Sequence, residues 1–375
     1  SADMRFSPGC RTSLWNGCAG VQSLSLVMIV RNEEATLSRC LESVARLVDE
    51  IVVLDTGSTD GTIEVARRFG ARIGEYTWND HFAEARNAAL ELSRTDWNLV
   101  LDGDEYITND CHEAIREFMR QGPVIGRIRR LSSVRNTDGI QWVSDYISRL
   151  FPSGIRYRGR IHEQPDSNLP RRIVDVEVGH DGYLDKAKSG RNIPLLEQEL
   201  LEDPGNAYYS FQLAKEYRGI ERYDEYYRFC KQAYKNLSRH ERYAPYVIVE
   251  FLYAMLKSGK LEKGPEVIER EGDYLRDFPD FQFASALLYL EYIMEDVGRR
   301  YQLLPKIEQA YLRCLEIGET TRYDSVIGTG SFSAMYNLGV FYEVQGKIEQ
   351  AVEWYRRAAE YSYEPALKRL QNLSR

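Results

Sequence analysis

The run Leu99-Val100-Leu101-Asp102-Gly103-Asp104-Glu105 carries an apolar segment into two carboxylates one residue apart. Like charges that close repel. A hard divalent cation, Mn2+ or Mg2+, relieves the repulsion by bridging their oxygens to a further anion, such as the diphosphate of a nucleotide sugar. Gly103 between them lets a ligand approach the backbone closely. An acidic turn that merely caps the next element shows the same triplet, so the meaning of the pair depends on the element before it.

A second cluster is Val53-Leu54-Asp55-Thr56-Gly57-Ser58-Thr59-Asp60-Gly61, an apolar strand that ends in an aspartate and a polar, glycine-bearing turn. Asp55 can accept from the N–H of a nucleotide base, and the turn offers backbone N–H groups, although Ser58, Thr59 and Asp60 also suit the cap of a following helix. Further on, Gly159-Arg160-Ile161-His162-Glu163-Gln164 sets a histidine beside a carboxylate, and His180-Asp181-Gly182-Tyr183 sets another histidine in a turn. Arg127, Arg129, Arg130, Arg135, Arg149, Arg156, Arg158 and Arg160 could line an anionic site, but their alternation makes a solvated strand face the commoner outcome.

The elements that must position these groups follow from periodicity. Apolar runs at residues 24–30, 50–54, 71–76 and 97–101 alternate with amphipathic helical patterns at 33–47, 62–69 and 82–92. That alternation predicts a mostly parallel sheet covered on both faces, with ligands beyond the carboxyl ends of its strands. A dinucleotide-binding fold needs G-x-G-x-x-G after its first strand, and Val30-Arg31-Asn32-Glu33-Glu34 stands there instead. After Asp104 come β-leaning segments at 124–131, 140–151, 155–158 and 173–178, read as antiparallel. Beyond Lys186 the pattern is helical, and Leu338-Gly339, Tyr342, Gly346, Ala351, Tyr355 and Ala358 fit a helix-turn-helix repeat of about 34 residues. A degenerate copy has Leu213-Ala214, Tyr217 and Ala233, with Cys230 where an aromatic is usual. The expected fold is therefore an α/β domain over 23–190, after a loosely ordered tail over 1–22, and an all-α repeat domain over 191–375.

Taken together, Met28-Ile29-Val30-Arg31-Asn32-Glu33-Glu34, the Asp55 to Gly61 turn, Phe82-Ala83-Glu84-Ala85-Arg86-Asn87 and Leu101-Asp102-Gly103-Asp104-Glu105 resemble family 2 glycosyltransferases of the GT-A fold, a Rossmann-like mixed sheet. The repeats extend the resemblance to the subgroup of sublancin-type peptide S-glycosyltransferases, which modify cysteine or serine of bacteriocin precursors. This resemblance implies that Val30, Arg31, Asn32 and Glu33 hold the nucleotide base together with Asp55, and that Arg86 reaches the base or phosphate. It also implies that Asp102 touches ribose and metal, that Asp104 ligates the metal, and that His180 completes the metal shell. Inverting transfer to a hydroxyl or thiol needs a base for the nucleophile's proton. The catalytic candidates are Glu163 as that base, His162 beside it, and Asp181 in reserve. Pairing of Glu163 with Arg158 or Arg160 is the structural alternative.

The chain of 375 residues has a net charge of -8, which argues against a nucleic-acid binder. No apolar stretch is long enough for a membrane span. Six scattered cysteines without a C-x-x-C pair fit a reducing cytoplasm. The expected activity is metal-assisted transfer of a hexose from a UDP-sugar to a Cys or Ser side chain of a peptide. Tyr208, Tyr209, Tyr217, Tyr223, Tyr226 and Tyr227 offer a surface for such an acceptor, or else core packing. Stacked repeats also suit a homodimer. A cell-envelope saccharide or lipid-linked acceptor would use the same donor site, and a non-catalytic scaffold would use the repeats alone.

Overall fold

Six apolar residues around a single serine cannot leave either face in water, and Leu24–Val30 (β1) accordingly lies inside a parallel sheet, six of its seven residues buried. Glu50–Asp55 (β2) pairs with it in parallel, Val30 opposite Asp55, and Trp97–Val100 (β4) pairs in parallel on the other side, Leu26 opposite Leu99. Arg72–Glu75 (β3) extends the sheet beyond β2. With β2 on one side of β1 and β4 on the other, the connections diverge there, and the carboxyl ends of β1, β2 and β4 frame a crevice. The structure, a computed structural model, describes residues 21–136, 139–180 and 186–373. All but the last two residues of the expected tail therefore fall outside the described residues.

Three helices cover this half-sheet: Glu34–Val44 (α1), Thr62–Arg68 (α2) and Phe82–Leu92 (α3). Helix α1 buries Leu37, Cys40, Leu41 and Val44, one stripe at helical spacing. Past Asp104 the structure departs from the sequence reading, which placed only β-leaning segments there. A short strand Glu105–Ile107 (β5) and a helix His112–Arg120 (α4) come first, α4 burying Ile115, Phe118 and Met119. Phe118 meets Trp97 edge to face at 6.2 Å. The long strands Ile125–Asn136 (β6) and Gly139–Pro152 (β7) follow as an antiparallel pair, with β7 antiparallel to β4. Tyr157–Arg158 (β8) pairs with Gln164–Pro165 (β9), and Arg171–His180 (β10) runs antiparallel to β5. Strand β10 is parallel to β6, not antiparallel as its type suggested, because the chain crosses over through β8 and β9 before returning.

From Lys186 onward the chain is helical: Lys186–Glu202 (α5), Ala207–Gly219 (α6), Tyr223–Asn236 (α7), Ala244–Ser258 (α8), Gly264–Glu271 (α9), Pro279–Glu295 (α10), Val297–Arg300 (α11), Leu304–Ile317 (α12), Phe332–Val344 (α13), Ile348–Ala359 (α14) and Glu364–Leu373 (α15). Short turns between neighbours force antiparallel pairs. The repeat positions are core positions: Leu338, Ala351, Tyr355 and Ala358 are wholly buried, as are Leu213, Ala214 and Ala233 in the degenerate copy. Gly339 has a packing reason, since a Cβ there would stand 2.5 Å from the Tyr355 ring. Of the six tyrosines, Tyr217 and Tyr226 are core and the other four are half-buried. Among the described residues no helix is long and apolar enough to cross a membrane.

The helical half is stitched to the sheet. Between α12 and α13, Ser325–Val326 (β11) adds antiparallel to β7, Ser325 opposite Ser144. Asp324 accepts the Tyr146 N–H at 2.9 Å, and buried Asp280 of α10 accepts from Val326 N–H at 2.9 Å and the Thr329 hydroxyl at 2.7 Å. Ile161, in the loop between β8 and β9, belongs to the apolar core of the helices.

Candidate active site

Asp102 stands two residues past the end of β4, after the buried Leu101, so the strand delivers its carboxylate to the crevice. There it is held between two guanidinium groups, Arg86 Nη2 at 2.7 Å from Oδ1 and Arg149 Nη2 at 2.8 Å from Oδ2. Arg86 comes from α3 and Arg149 from β7, and both are buried. Burial alone would raise the Asp102 carboxyl, but Arg149 and Arg86 outweigh it and hold the group well below the usual carboxylate range. Arg86 Nε also donates to Glu163, so a single guanidinium ties the first aspartate of the triplet to the candidate base. The partner of Glu163 is thus neither Arg158 nor Arg160.

Asp104 points elsewhere. Its Oδ2 lies 3.3 Å from Nε2 of His180, which the end of β10 delivers, and this hydrogen bond raises the imidazole pKa although burial works against it. An oxygen and an imidazole nitrogen side by side are a donor set that suits a divalent cation. The three-ligand set of Asp102, Asp104 and His180 expected from the sequence is not gathered, because Asp102 is neutralised by arginines. Among the described residues no three His, Cys, Asp or Glu side chains converge to hold a metal. Asp181 lies outside the described residues.

The expected base-binding segment forms one wall. Asn32, at φ 56°, accepts the Thr59 N–H at 2.8 Å, and its own N–H donates to Ser58 Oγ at 2.9 Å, knitting the loop after β1 to the loop after β2. Asp55 accepts the N–H groups of Gly57 and Ser58, both at 3.0 Å, so its carboxylate shapes its own turn. The Val30 carbonyl accepts the Thr56 N–H at 3.0 Å, and Arg31 is exposed. The Glu33 side chain lies over Gly103, where a Cβ would approach it to 2.8 Å; this close approach explains the glycine. Beneath the triplet, the buried Cys40 thiol of α1 faces the Asp102 carbonyl at 3.6 Å.

His162 is not brought to the crevice. Its φ of 52° turns the chain, so that Glu163 meets Arg86 while the His162 ring faces Glu216 of α6 at 3.6 Å. Burial would raise the Glu216 carboxyl, yet His162, Asn192 and Ser189 bring it down to about 2. Tyr208 donates to the His162 carbonyl at 3.0 Å, and Arg160 N–H donates to Glu199 of α5 at 2.9 Å. The loop carrying Glu163 is therefore gripped by α5 and α6. Arg149 was one of eight arginines that could line an anionic site, and sequence reasoning did not single it out as the partner of Asp102. Its signal, alternation along β7, shows its role only once the register that pairs Leu150 with Leu99 is known.

Residues 25–171 match the model of glycosyl transferase family 2. A TPR repeat-containing protein of Synechococcus elongatus is 38% identical over 209 residues, covering 51% of this chain and 51% of that protein. The SPbeta prophage-derived glycosyltransferase SunS of Bacillus subtilis is 26% identical over 234 residues, covering 56% of this chain and 53% of its own length. The chain thus spans about half the length of the curated relatives it matches. Among solved structures, glucosyl-3-phosphoglycerate synthase from Mycobacterium tuberculosis in complex with Mn2+ and uridine-diphosphate-glucose is 26% identical, covers 30% of this chain and 44% of that one, and has a TM-score of 0.25.

Proposed function

We propose that the chain, whose residues 25–171 are a glycosyl transferase family 2 domain, transfers a hexose from a UDP-sugar to a cysteine or serine side chain of a peptide, with inversion, in the cytoplasm. The observation that carries this reading is the family match over the segment whose parallel strands end in Asp102-Gly103-Asp104. Asp104 and His180 would hold a divalent metal, and the metal, when bound, offsets the charge of the departing diphosphate. Asp102, fixed between Arg86 and Arg149, presents a rigid oriented carboxylate to the donor rather than a metal ligand. Asp55 and the loop from Arg31 to Glu33 form the wall against which the nucleoside rests.

In the transfer, the bond from the sugar's anomeric carbon to the diphosphate oxygen breaks while a bond from that carbon to sulfur or oxygen of the acceptor forms on the opposite face. The acceptor's proton passes to Glu163, whose Oε1 is held by Arg86 and whose second oxygen is the acceptor. A thiol, with an ordinary pKa near 8.5, asks less of that carboxylate than a hydroxyl does. The half-buried Tyr208 and Tyr209 on α6, against the loop that carries Glu163, are the part of the helical half best placed to contact the peptide.

Incubating the protein with Mn2+, a panel of UDP-sugars and cysteine- or serine-containing peptides, followed by mass spectrometry, tests the proposal. One hexose added to one peptide residue, with release of UDP, is expected. Absence of both transfer and UDP release across the panel would sink it.

A further inference from the structure

Glu163 belongs to a loop that the chain holds from two sides. Helix α3 holds its entry: Asn87 accepts the Tyr157 N–H at 2.7 Å and donates to the Tyr157 carbonyl at 3.0 Å, and the Phe82 N–H donates to the Arg160 carbonyl at 2.7 Å. The helical half holds its exit. Ile161 is buried in the core of the helices, and Tyr208 of α6 donates to the His162 carbonyl at 3.0 Å. Within this second grip His162 takes φ 52°, a left-handed conformation that costs free energy in any residue but glycine and persists only where its neighbours enforce it.

Glu216 of α6 meets the side chain that this turn directs away from the crevice. Its Oε1 accepts from Asn192 Nδ2 at 2.8 Å and faces His162 Nε2 at 3.6 Å, and its Oε2 accepts from Ser189 Oγ at 2.8 Å. Ser189 and Asn192 are buried residues of α5, so any movement of the carboxylate breaks hydrogen bonds to a second helix. The Glu216 side chain is 14% exposed and that of His162 31%, which sets this contact apart from freely solvated surface pairs. Glu163 is the next residue. The φ that sends the His162 ring to Glu216 sends the Glu163 carboxylate to Arg86, which engages one of its oxygens. A side chain fixed at 162 thus sets the direction of the side chain at 163.

We propose that Glu216 is a positioning residue for Glu163: by holding the His162 ring against α5 and α6 it maintains the turn at 162 that aims the Glu163 carboxylate into the crevice. This rests on the reading above of Glu163 as the base that takes the acceptor's proton. The helical half then acts on the chemical step as well as on the acceptor. Misplacing a reacting group by about 1 Å costs on the order of 100-fold in rate, so a loose turn at 162 slows transfer even though every group that touches the donor is intact.

Steady-state transfer with Mn2+ and the UDP-sugar and peptide that react in the panel above, together with calorimetric UDP binding, tests the assignment in Glu216→Ala, Glu216→Gln, Glu163→Gln and the double variant Glu216→Ala/Glu163→Gln. Glu216→Ala should lower kcat about 10- to 100-fold and leave UDP affinity unchanged. Glu216→Gln, which keeps the length and one accepting oxygen, should recover part of the loss. In the Glu163→Gln background Glu216→Ala should cost nothing more, because a carboxylate that is gone cannot be misaimed. His162→Ala, outside α6, should reproduce the kcat loss, and His162→Asn, which tolerates the left-handed backbone, should recover part of it; this pair carries the test if Glu216→Ala does not fold. An unchanged kcat in Glu216→Ala or His162→Ala, an equal loss in both backgrounds, or a parallel loss of UDP affinity overturns the proposal. If Glu163→Gln transfers at the wild-type rate, or the wild-type protein transfers nothing, the reading of Glu163 as the base fails first and the role of Glu216 falls with it.

Discussion

Arg149→Met removes one of the two guanidinium groups that hold Asp102 while keeping most of the side-chain volume. Truncating one partner of a buried ion pair costs about 3–5 kcal/mol when the other is left alone. Here Asp102 keeps Arg86 at 2.7 Å, and its side chain is 35% exposed, so water can take up part of the vacated lone pair. Glu105 loses Arg149 at 3.6 Å but retains Arg130 at 3.6 Å. The cost should therefore resemble that of one charged hydrogen bond, about 2 kcal/mol. Urea unfolding followed through Trp97, buried in the same sheet, measures it. Arg120→Met is the control, because Arg120 and Glu117 are 68% and 67% exposed and such pairs contribute about 0–1 kcal/mol. Combined with Asp102→Asn, Arg149→Met should cost less than the sum of the two single changes. If Arg149→Met and Arg120→Met unfold at the same urea concentration, the buried clamp has no energetic reality and the reasoning fails.

Three further outcomes are expected. Asp104→Ala and His180→Ala should each abolish the enhancement of UDP binding by Mn2+, read by calorimetry with and without metal, and an undiminished enhancement in both would remove the pair as the metal site. Burial raises the Asp280 carboxyl from 3.8 to about 6, against its hydrogen bonds from Ser325, Thr329 and Val326. The folded state thus holds that proton more tightly than the unfolded state. Its contribution to stability is complete below about pH 4 and is lost as the pH rises through about 6, by roughly 3 kcal/mol at most. Wild-type stability relative to Asp280→Asn should fall over that window; Asp324, raised to about 6 in the same sense, is common to both proteins and cancels. A pH-independent difference would contradict the burial argument. Finally, Gly339→Ala forces a methyl against the Tyr355 ring and should cost about 1–3 kcal/mol in thermal unfolding.

Much of this is legible in the amino-acid sequence. β1, β2 and β4 are short, mostly apolar runs alternating with amphipathic helices, the pattern of a buried parallel sheet, and Gly339 with the repeat alanines sits where helices touch. What was hidden depends on long-range register. Arg149 looks like one more arginine in an alternating strand, and only pairing β7 antiparallel to β4 sets it on Asp102. His162 and Glu163 adjoin in sequence, but a left-handed backbone at His162 sends them to opposite sides. Helix α4 did carry a signal, Ile115, Phe118 and Met119 at helical spacing, masked by the arginine-rich segments after it. Asp55 stands out by its place at a strand end, yet its oxygens are engaged by its own turn.

Strand β7 runs past the end of β4, and its backbone there would stand open on that side if Ser325 and Val326 did not cover it. An open strand is an invitation to pair with another molecule. The repeats therefore cannot be exchanged like beads: a descendant that traded its helices for others would have to keep the short segment at 324–326, or inherit a sheet that recruits its neighbours. The two halves are joined there by main-chain pairing and by the carboxylates of Asp324 and Asp280, a tie that does not involve the tyrosines of α6.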